Sequence, residues 1–466
     1  MIRLLFPSFP FSPDCLLREK EETKAERLLE KLEDNEPVKE LATNPLLLTL
    51  LCLVFGERND FPPKQSELYK EGLEVLMKKW DAKRNIEREQ IYKLLSPQNK
   101  EAMLGQIAFN TFVKEEYFFR QVDLQQQIKD YIRNLPEASA DPEALRVDSE
   151  VVLKAIEHHH GLLVERAREI YSFSHLTFQE YFTAREIERE RQLEILVQNI
   201  TNPRWKEVFY LTAEMLRRSD DLLLLMKARI DLMLAGDEKL QDFLDWTREK
   251  ANSIKSNYST IFGRAFYGFL ICNLDSFVNV QGYVDDPELN LDLNLVLNLK
   301  LALNLCMLKQ GGDRSFDIAF NIGLLNRLEP SFVFRIYYSE QDTINLNPTL
   351  VCATVHDPKS PELLELLRPL KEKLPDYDFT HEFHNWWETC GEVWTHELQK
   401  ICIEHRNIGH DWQFTDEQSK LLEQYYDANL LLVQCMNRSY VSKEVREEIE
   451  STLLLPIKAL PAKPSV

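Results

Sequence analysis

At 466 residues the chain exceeds what one hydrophobic core comfortably serves, so about two to four domains are expected. Apolar residues make up 44% and charged residues 28%, a globular balance, while only 13 glycines leave too few tight turns for an all-β architecture. A formal charge of −20 repels phosphate backbones and anionic lipids, which argues against whole-molecule nucleic-acid or membrane-surface binding.

The opening MIRLLFPSFPFSPDC is apolar but broken by Pro7, Pro10 and Pro13, with no small-residue cleavage pattern before Cys15, so it does not read as a signal peptide. No apolar run reaches membrane-spanning length. The eight cysteines are scattered without framework spacing, as in a reducing compartment, and a cytoplasmic location is expected.

In chain order, residues 16–33 read as a charged amphipathic helix with Leu28, Leu29 and Leu32 on one side. Asn44 and Pro45 open an apolar helix that Gly56 is expected to end. Residues 65–80 place Leu68, Tyr69, Leu73, Leu76, Met77 and Trp80 on one helical face. Ser96-Pro97 starts a helix with Met103, Leu104, Ile107, Ala108 and Phe112 as its buried stripe, and 123–134 follows the same logic. Residues 138–145 read as a loop, followed by a helix capped by Asp148 and ended by Gly161. LLVER and IYSFSH form two short strands turning around Ala167–Glu169, and the helix LTFQEYFTAREIERE follows. Helices, a hairpin and a further helix make the layout of a winged-helix domain. Residues 204–235 and 239–275 are helical by periodicity.

Residues 289–306 carry leucine at every second position, a period that normally signals a strand. Eighteen extended residues would span roughly 60 Å, well beyond a usual strand, and leucine favours helix. The helical reading is preferred, with the strand kept as the alternative. Helices continue over 360–373, 388–405, 415–436 and 442–452. The fold class is therefore mainly α: a helical domain, a winged helix with a small β-hairpin, and a C-terminal α-helical domain. The expected boundaries are 1–15 for an unstructured or truncated start, 16–85, 86–192, 193–300 for a helical arm, 301–460, and 461–466 for a tail.

Two segments, LATNPLLLTLLCLVF (41–55) and HGLLVERAREIYSFSHLTFQEYFTARE (160–186), resemble the NACHT branch of the STAND signalling NTPases, especially bacterial members. LYKEGLEVLMKKWD (68–81) resembles it too, so the likeness covers roughly residues 20–190, with weaker motifs beyond. The resemblance implies a nucleotide held between an upstream P-loop domain, a helical domain (here 16–85) and the winged helix. The family's adenine-packing proline matches Pro45, and its diphosphate-sensing histidine matches His175. A proline at a helix start leaves no N–H unsatisfied and offers a flat apolar face. An imidazole at a helix N-terminus can join free amides around phosphate oxygens. From the residues alone, Pro45 could equally be a helix start and His175 a structural histidine.

No G-x-x-x-x-G-K-[ST] string occurs, and only about forty residues precede Pro45, too few for the α/β domain the family places there. The chain is accordingly expected to be no enzyme by itself. It would be a truncated gene, a split-gene product, or the C-terminal part of a complex that shares ADP or ATP with a separate NTPase domain in trans. The resemblance further implies a protein trigger, homo-oligomer formation on activation, and a role in bacterial signalling or anti-phage defence.

Two rival functions remain. A DNA-binding winged helix is opposed by Glu180, Glu186, Glu188 and Glu190, which offset Arg185, Arg189 and Arg191 along 176–191. A helical scaffold that binds protein and no nucleotide is the other. Phe178, Tyr181 and Phe182 read as core, Gln179 and Glu180 as exposed or capping residues. His381, His384, Cys390, His396, Cys402, His405 and His410 lack the paired spacing of a metal site and read as residues beside Trp386, Trp387 and Trp394. His158–His160 read as helix-end residues.

Overall fold

A computed structural model describes residues 25–33, 39, 42, 45–58, 60–62, 64–83, 95–135, 141–157, 161–254, 259–272, 289, 292, 295, 296, 299, 361–373 and 381–461. Helices dominate them, with one three-stranded sheet, so the mainly α expectation holds. None of the described helices is long and apolar enough to cross a membrane. The chain divides into two compact units: one runs to Arg229 and includes Leu430–Arg446, the other holds Ile230–Asn429 and the residues from Glu447 on.

The first unit begins with helical residues 25–33, of which Leu28 and Leu32 are buried and Leu29 is 49% exposed. The apolar face is thus the i, i+4 pair, narrower than the three leucines suggested. Helix α1 (Pro45–Arg58) starts at its proline but runs through Gly56 to Arg58, so Gly56 is no terminator. An interior glycine costs about 1 kcal/mol relative to alanine, too little to stop a helix already packed on one side. Leu51, Val54 and Phe55 pack with Leu28, Leu32 and Leu68, the last on α2 (Gln65–Lys83). At Gly72 of α2 an added Cβ would lie 2.7 Å from Leu50 Cδ2, so glycine permits the close approach of α1.

The winged helix opens with α3 (Pro97–Val113), whose cap residue Ser96 accepts the Asn99 amide at 3.1 Å. Met103, Leu104, Ile107, Ala108 and Phe112 are all buried, as their spacing predicts. A short strand β1 (Phe119–Arg120) precedes α4 (Gln121–Arg133). Helix α5 (Pro142–Ala155) starts six residues before Asp148, which therefore sits within the helix rather than capping it. Asp141-Pro142 is the stronger start signal, because proline at the first position sacrifices only an amide the helix cannot use. Gly161 does close this segment: its φ is +58° and its amide reaches the Ile156 carbonyl at 3.2 Å.

Strands β2 (Leu163–Ala167) and β3 (Ile170–Phe173) form the hairpin, paired Leu163↔Phe173 and Glu165↔Tyr171. The turn carries Glu169 at φ +61°. β1 adds antiparallel to β3 through Phe119↔Tyr171, giving the order β1-β3-β2. Two residues are too short to show a period, which is why β1 was not legible in the sequence. Helix α6 (Leu176–Glu190) then packs on α3, with Gly105 leaving room for the Glu186 side chain and the Phe182 carbonyl, and on α8 (Lys206–Met215), after the short α7 (Leu193–Gln198). Helix α9 follows from Asp220 to Met233.

The second unit is built around α10 (Glu238–Ser253) and α11 (Thr260–Cys272), which pack on each other. Leu289, Asp292, Leu295, Val296 and Leu299 are helical and buried. Spaced three, three, one and three apart, they trace one helical face, so the helix reading of the leucine-rich stretch holds at its described positions. Positions 301–306 of that stretch lie outside the described residues. Helices α12 (Pro361–Glu372), α13 (His381–Arg406), α14 (Asp416–Arg438) and α15 (Lys443–Thr452) agree with the periodic segments, α13 starting earlier than residue 388.

Candidate functional site

His175 is the N-cap residue of α6. Its backbone is extended (φ −139°, ψ 144°), its side chain makes no capping hydrogen bond, and the residue is exposed. The position follows from how β3 ends. The Ser174 amide donates to the Leu162 carbonyl at 2.8 Å, and Arg166 donates to the Ser172 hydroxyl at 3.0 Å and the Ser174 carbonyl at 2.9 Å. These bonds tie the strand end to the hairpin, and the chain then enters the helix directly. The His175 ring meets Phe178 edge-on, with centroids 6.4 Å apart. An uncapped helix start with an exposed imidazole beside it leaves first-turn amides and a ring nitrogen available to the same anion.

Pro45 also stands at a helix start, the first residue of α1. Its side chain lies outside the described residues, as do His158–His160 and the side chains of His381 and His384. Among the described residues no group of three or more His, Cys, Asp or Glu side chains is arranged to hold a metal ion.

Behind His175, α6 buries Phe178, Tyr181 and Phe182, the core assigned to them by their spacing. Gln179 and Glu180 depart from expectation. Gln179 is 2% exposed, and its amide nitrogen donates to Thr111 Oγ1 at 2.9 Å and to the Glu116 carbonyl at 3.1 Å, joining α6 to the end of α3. A polar residue one position from the apolar stripe of a helix clasped by α3 and α8 on two sides is enclosed along with it. Glu180 is partly buried, and burial pushes its carboxyl up to about 7, Glu207 adding to the rise and Arg204 opposing it.

Glu180 belongs to a group of acids shared by α2, α6 and α8. Glu207 accepts from Gln65 Nε2 at 2.5 Å, and its own carboxyl is raised, chiefly by burial. Glu214 is 7% exposed and accepts the Ser66 amide at 2.9 Å, with Arg438 at 3.7 Å. The Tyr69 and Tyr181 rings meet 5.7 Å apart in the same region. Arg204 lies over Phe112 at 3.9 Å and donates to its carbonyl at 2.6 Å, while two further guanidinium nitrogens are buried without partners. Glu207 and Glu214 stand seven residues apart on α8 and Glu180 lies on α6, so only the packing of α2 against α8 and α6 reveals the group.

No curated protein and no solved structure matches the chain. Two family models do. Residues 65–187 match the winged helix-turn-helix domain C-terminal to NACHT, and residues 363–456 match the NACHT C-terminal helical domain 2. The first match spans α2 through most of α6 and includes His175; the second spans α12 through α15. With the resemblance read from its motifs and these two matches on separate segments, the chain carries the winged-helix and C-terminal helical domains that accompany the NTPase domain of NACHT-family proteins.

Proposed function

We propose that this chain is the regulatory part of a NACHT-type signalling NTPase, closing over ADP that an NTPase domain holds, with the helical second unit acting as sensor or autoinhibitory arm. The observation that carries the reading is His175, exposed and uncapped at the start of α6 inside the segment matched to the family's winged helix. The imidazole and the first-turn amides of α6 would bind the diphosphate, and Pro45 would pack on the adenine. Both matched domains lie C-terminal to the NTPase domain in their family, which supports a regulatory rather than a catalytic role. Activation would be a two-state change: nucleotide exchange removes the His175 contact, the closed arrangement loses that stabilisation, and oligomerisation follows a protein trigger. A cytoplasmic setting in bacterial signalling or anti-phage defence fits this role.

The test is thermal unfolding of the chain with and without ADP–Mg²⁺, for the parent, His175→Ala and Pro45→Ala. A ligand at a hundred times its dissociation constant stabilises by about 2.7 kcal/mol, a visible rise in melting temperature. The expected result is a rise for the parent and little or none for the variants. A parent that ADP does not stabilise, with or without an NTPase domain supplied in trans, overturns the proposal.

A further inference from the structure

The far end of α6 holds a second feature, unrelated to His175. The last turns of this helix and the connection from α8 to α9 enclose a cleft of about 640 Å³. Five arginines line it: Arg185, Arg189, Arg191, Arg217 and Arg218. In a chain of charge −20, that concentration in one cleft runs against the average surface.

The sequence hides this concentration, because glutamates alternate with arginines along α6, and the fold pairs them with Arg185 and Arg189 while leaving Arg191 outside those pairs. Glu186 is 6% exposed and pairs with Arg189 at 2.6 Å. Arg185 is held by Glu101 at 2.9 Å and Glu188 at 2.8 Å, and Arg218 by Asp220 at 2.7 Å. Asp220 in turn accepts the Ser442 amide at 2.9 Å. These pairs fix three guanidiniums in place, and a guanidinium with five donors keeps some unspent after one or two such bonds. Arg191 and Arg217 are exposed and have no ion-pair partner among the described residues. Arg191 closes α6 in the left-handed conformation (φ +53°). Of the acids lining the cleft, Glu188 and Asp220 are paired, and Asp221 lies in the first turn of α9, where a carboxylate is partly neutralised by the helix. The excess charge of the cleft is therefore positive.

We propose that this cleft binds a small polyphosphate anion, one with two or more adjoining phosphoryl groups. Planar guanidiniums suit phosphate oxygens, and the volume falls in the range of small-molecule sites. The acids at its edge and the negative charge of the whole chain disfavour a long polyanion whose charges would extend past the arginines. The site is distinct from His175: the two ends of the fifteen-residue α6 stand roughly 22 Å apart at 1.5 Å per residue.

The experiment is calorimetric titration of the full chain with inorganic tripolyphosphate at low and raised salt, for the parent, the double variant Arg191→Asn/Arg217→Gln and Arg168→Gln. Asparagine tolerates the left-handed backbone at 191, and both replaced side chains are exposed, so the double variant should fold; circular dichroism checks this. The expected result is saturable binding that weakens with salt and falls at least tenfold in the double variant. Arg168→Gln, in the hairpin turn, should leave it unchanged. Absence of saturable binding by the parent, or a folded double variant of undiminished affinity, overturns the proposal. So does an equal loss with Arg168→Gln, which would mean diffuse charge attraction. Single-stranded oligonucleotide and anionic vesicles serve as further arms, and tighter binding of either than of tripolyphosphate overturns the small-anion assignment. Stabilisation by ADP should persist in the double variant, which keeps this site and the proposed nucleotide sensor at His175 separately testable.

Discussion

Each unit of the molecule buries charge, and the two do it in opposite ways. In the second unit, Asp292 is fully buried and surrounded by opposite charge and donors: Arg406 Nε at 2.6 Å, Lys250 Nζ at 2.8 Å and the Tyr267 hydroxyl at 2.6 Å. Lys250 also donates to the Arg406 carbonyl at 2.6 Å. In the first unit, Glu180, Glu207 and Glu214 gather where α2, α6 and α8 meet, and burial raises the carboxyls of Glu180 and Glu207 in spite of the cations that reach them, Arg204 for the one and Arg438 and Lys206 for the other. A buried carboxylate held by two cations and a hydroxyl keeps one geometry, because moving it leaves charges unpaired in low dielectric. A cluster whose carboxyls burial has raised is sensitive to its proton count.

The comparison breaks most severely at Asp292. Asp292→Ala leaves Lys250 and Arg406 buried without their carboxylate, a loss of about 3–5 kcal/mol by the usual penalty for orphaning a buried charge. Denaturant unfolding of the full chain should show the loss in the transition of the second unit, with Asp292→Asn milder because it keeps hydrogen-bonding capacity. A change below about 1 kcal/mol for the alanine variant would show that the network contributes nothing to rigidity.

Gln179 tests the first unit on different ground. Replacing it with alanine removes the donor to Thr111 Oγ1 and the Glu116 carbonyl and opens a cavity against α3. A cost of about 1–3 kcal/mol is expected for the orphaned polar groups. Hydrogen exchange should show faster opening of the end of α3 and the start of α6, while the hairpin strands β2 and β3 stay protected. Unchanged exchange at both helix ends would rule out the strut.

How far these features could be read in advance depends on whether their signal is local. Ser96-Pro97 marks a helix start through its own side chain and ring, and the buried stripe of α3 repeats every three or four residues, so both were legible. The leucine alternation from 289 was decided correctly by chain length and propensity against its own period. Asp292, the one acid in LNLDLNLVLNLKLALNLC, carried no sign that Lys250 and Arg406 await it. Gln179 and Glu180 were misplaced for the same reason: exposure of a polar position next to an apolar stripe depends on how many neighbours clasp the helix. His175 was singled out through the motif around it, and the structure adds its exposure and its uncapped helix start.

The smallest effect sharpens the comparison most, because it concerns a single proton. The Glu180 carboxyl is raised to about 7, first by burial and then by Glu207. An acid whose folded value exceeds its unfolded one binds more protons when folded, so its contribution to stability is full below the unfolded value near 4.5. That contribution is lost as pH rises toward 7, where the folded carboxyl ionises beside Glu207. The first unit should therefore weaken between about pH 5 and 8. Glu180→Gln keeps the shape, cannot ionise, and relieves Glu207. It should raise stability at pH 8 by about 1 kcal/mol after allowance for solvent at its exposed edge, or about 2–4 °C in melting temperature, and change little at pH 5. Melting curves of parent and variant at both pH values decide it: a gain equal at pH 5 and pH 8 would assign the effect to packing rather than to the proton.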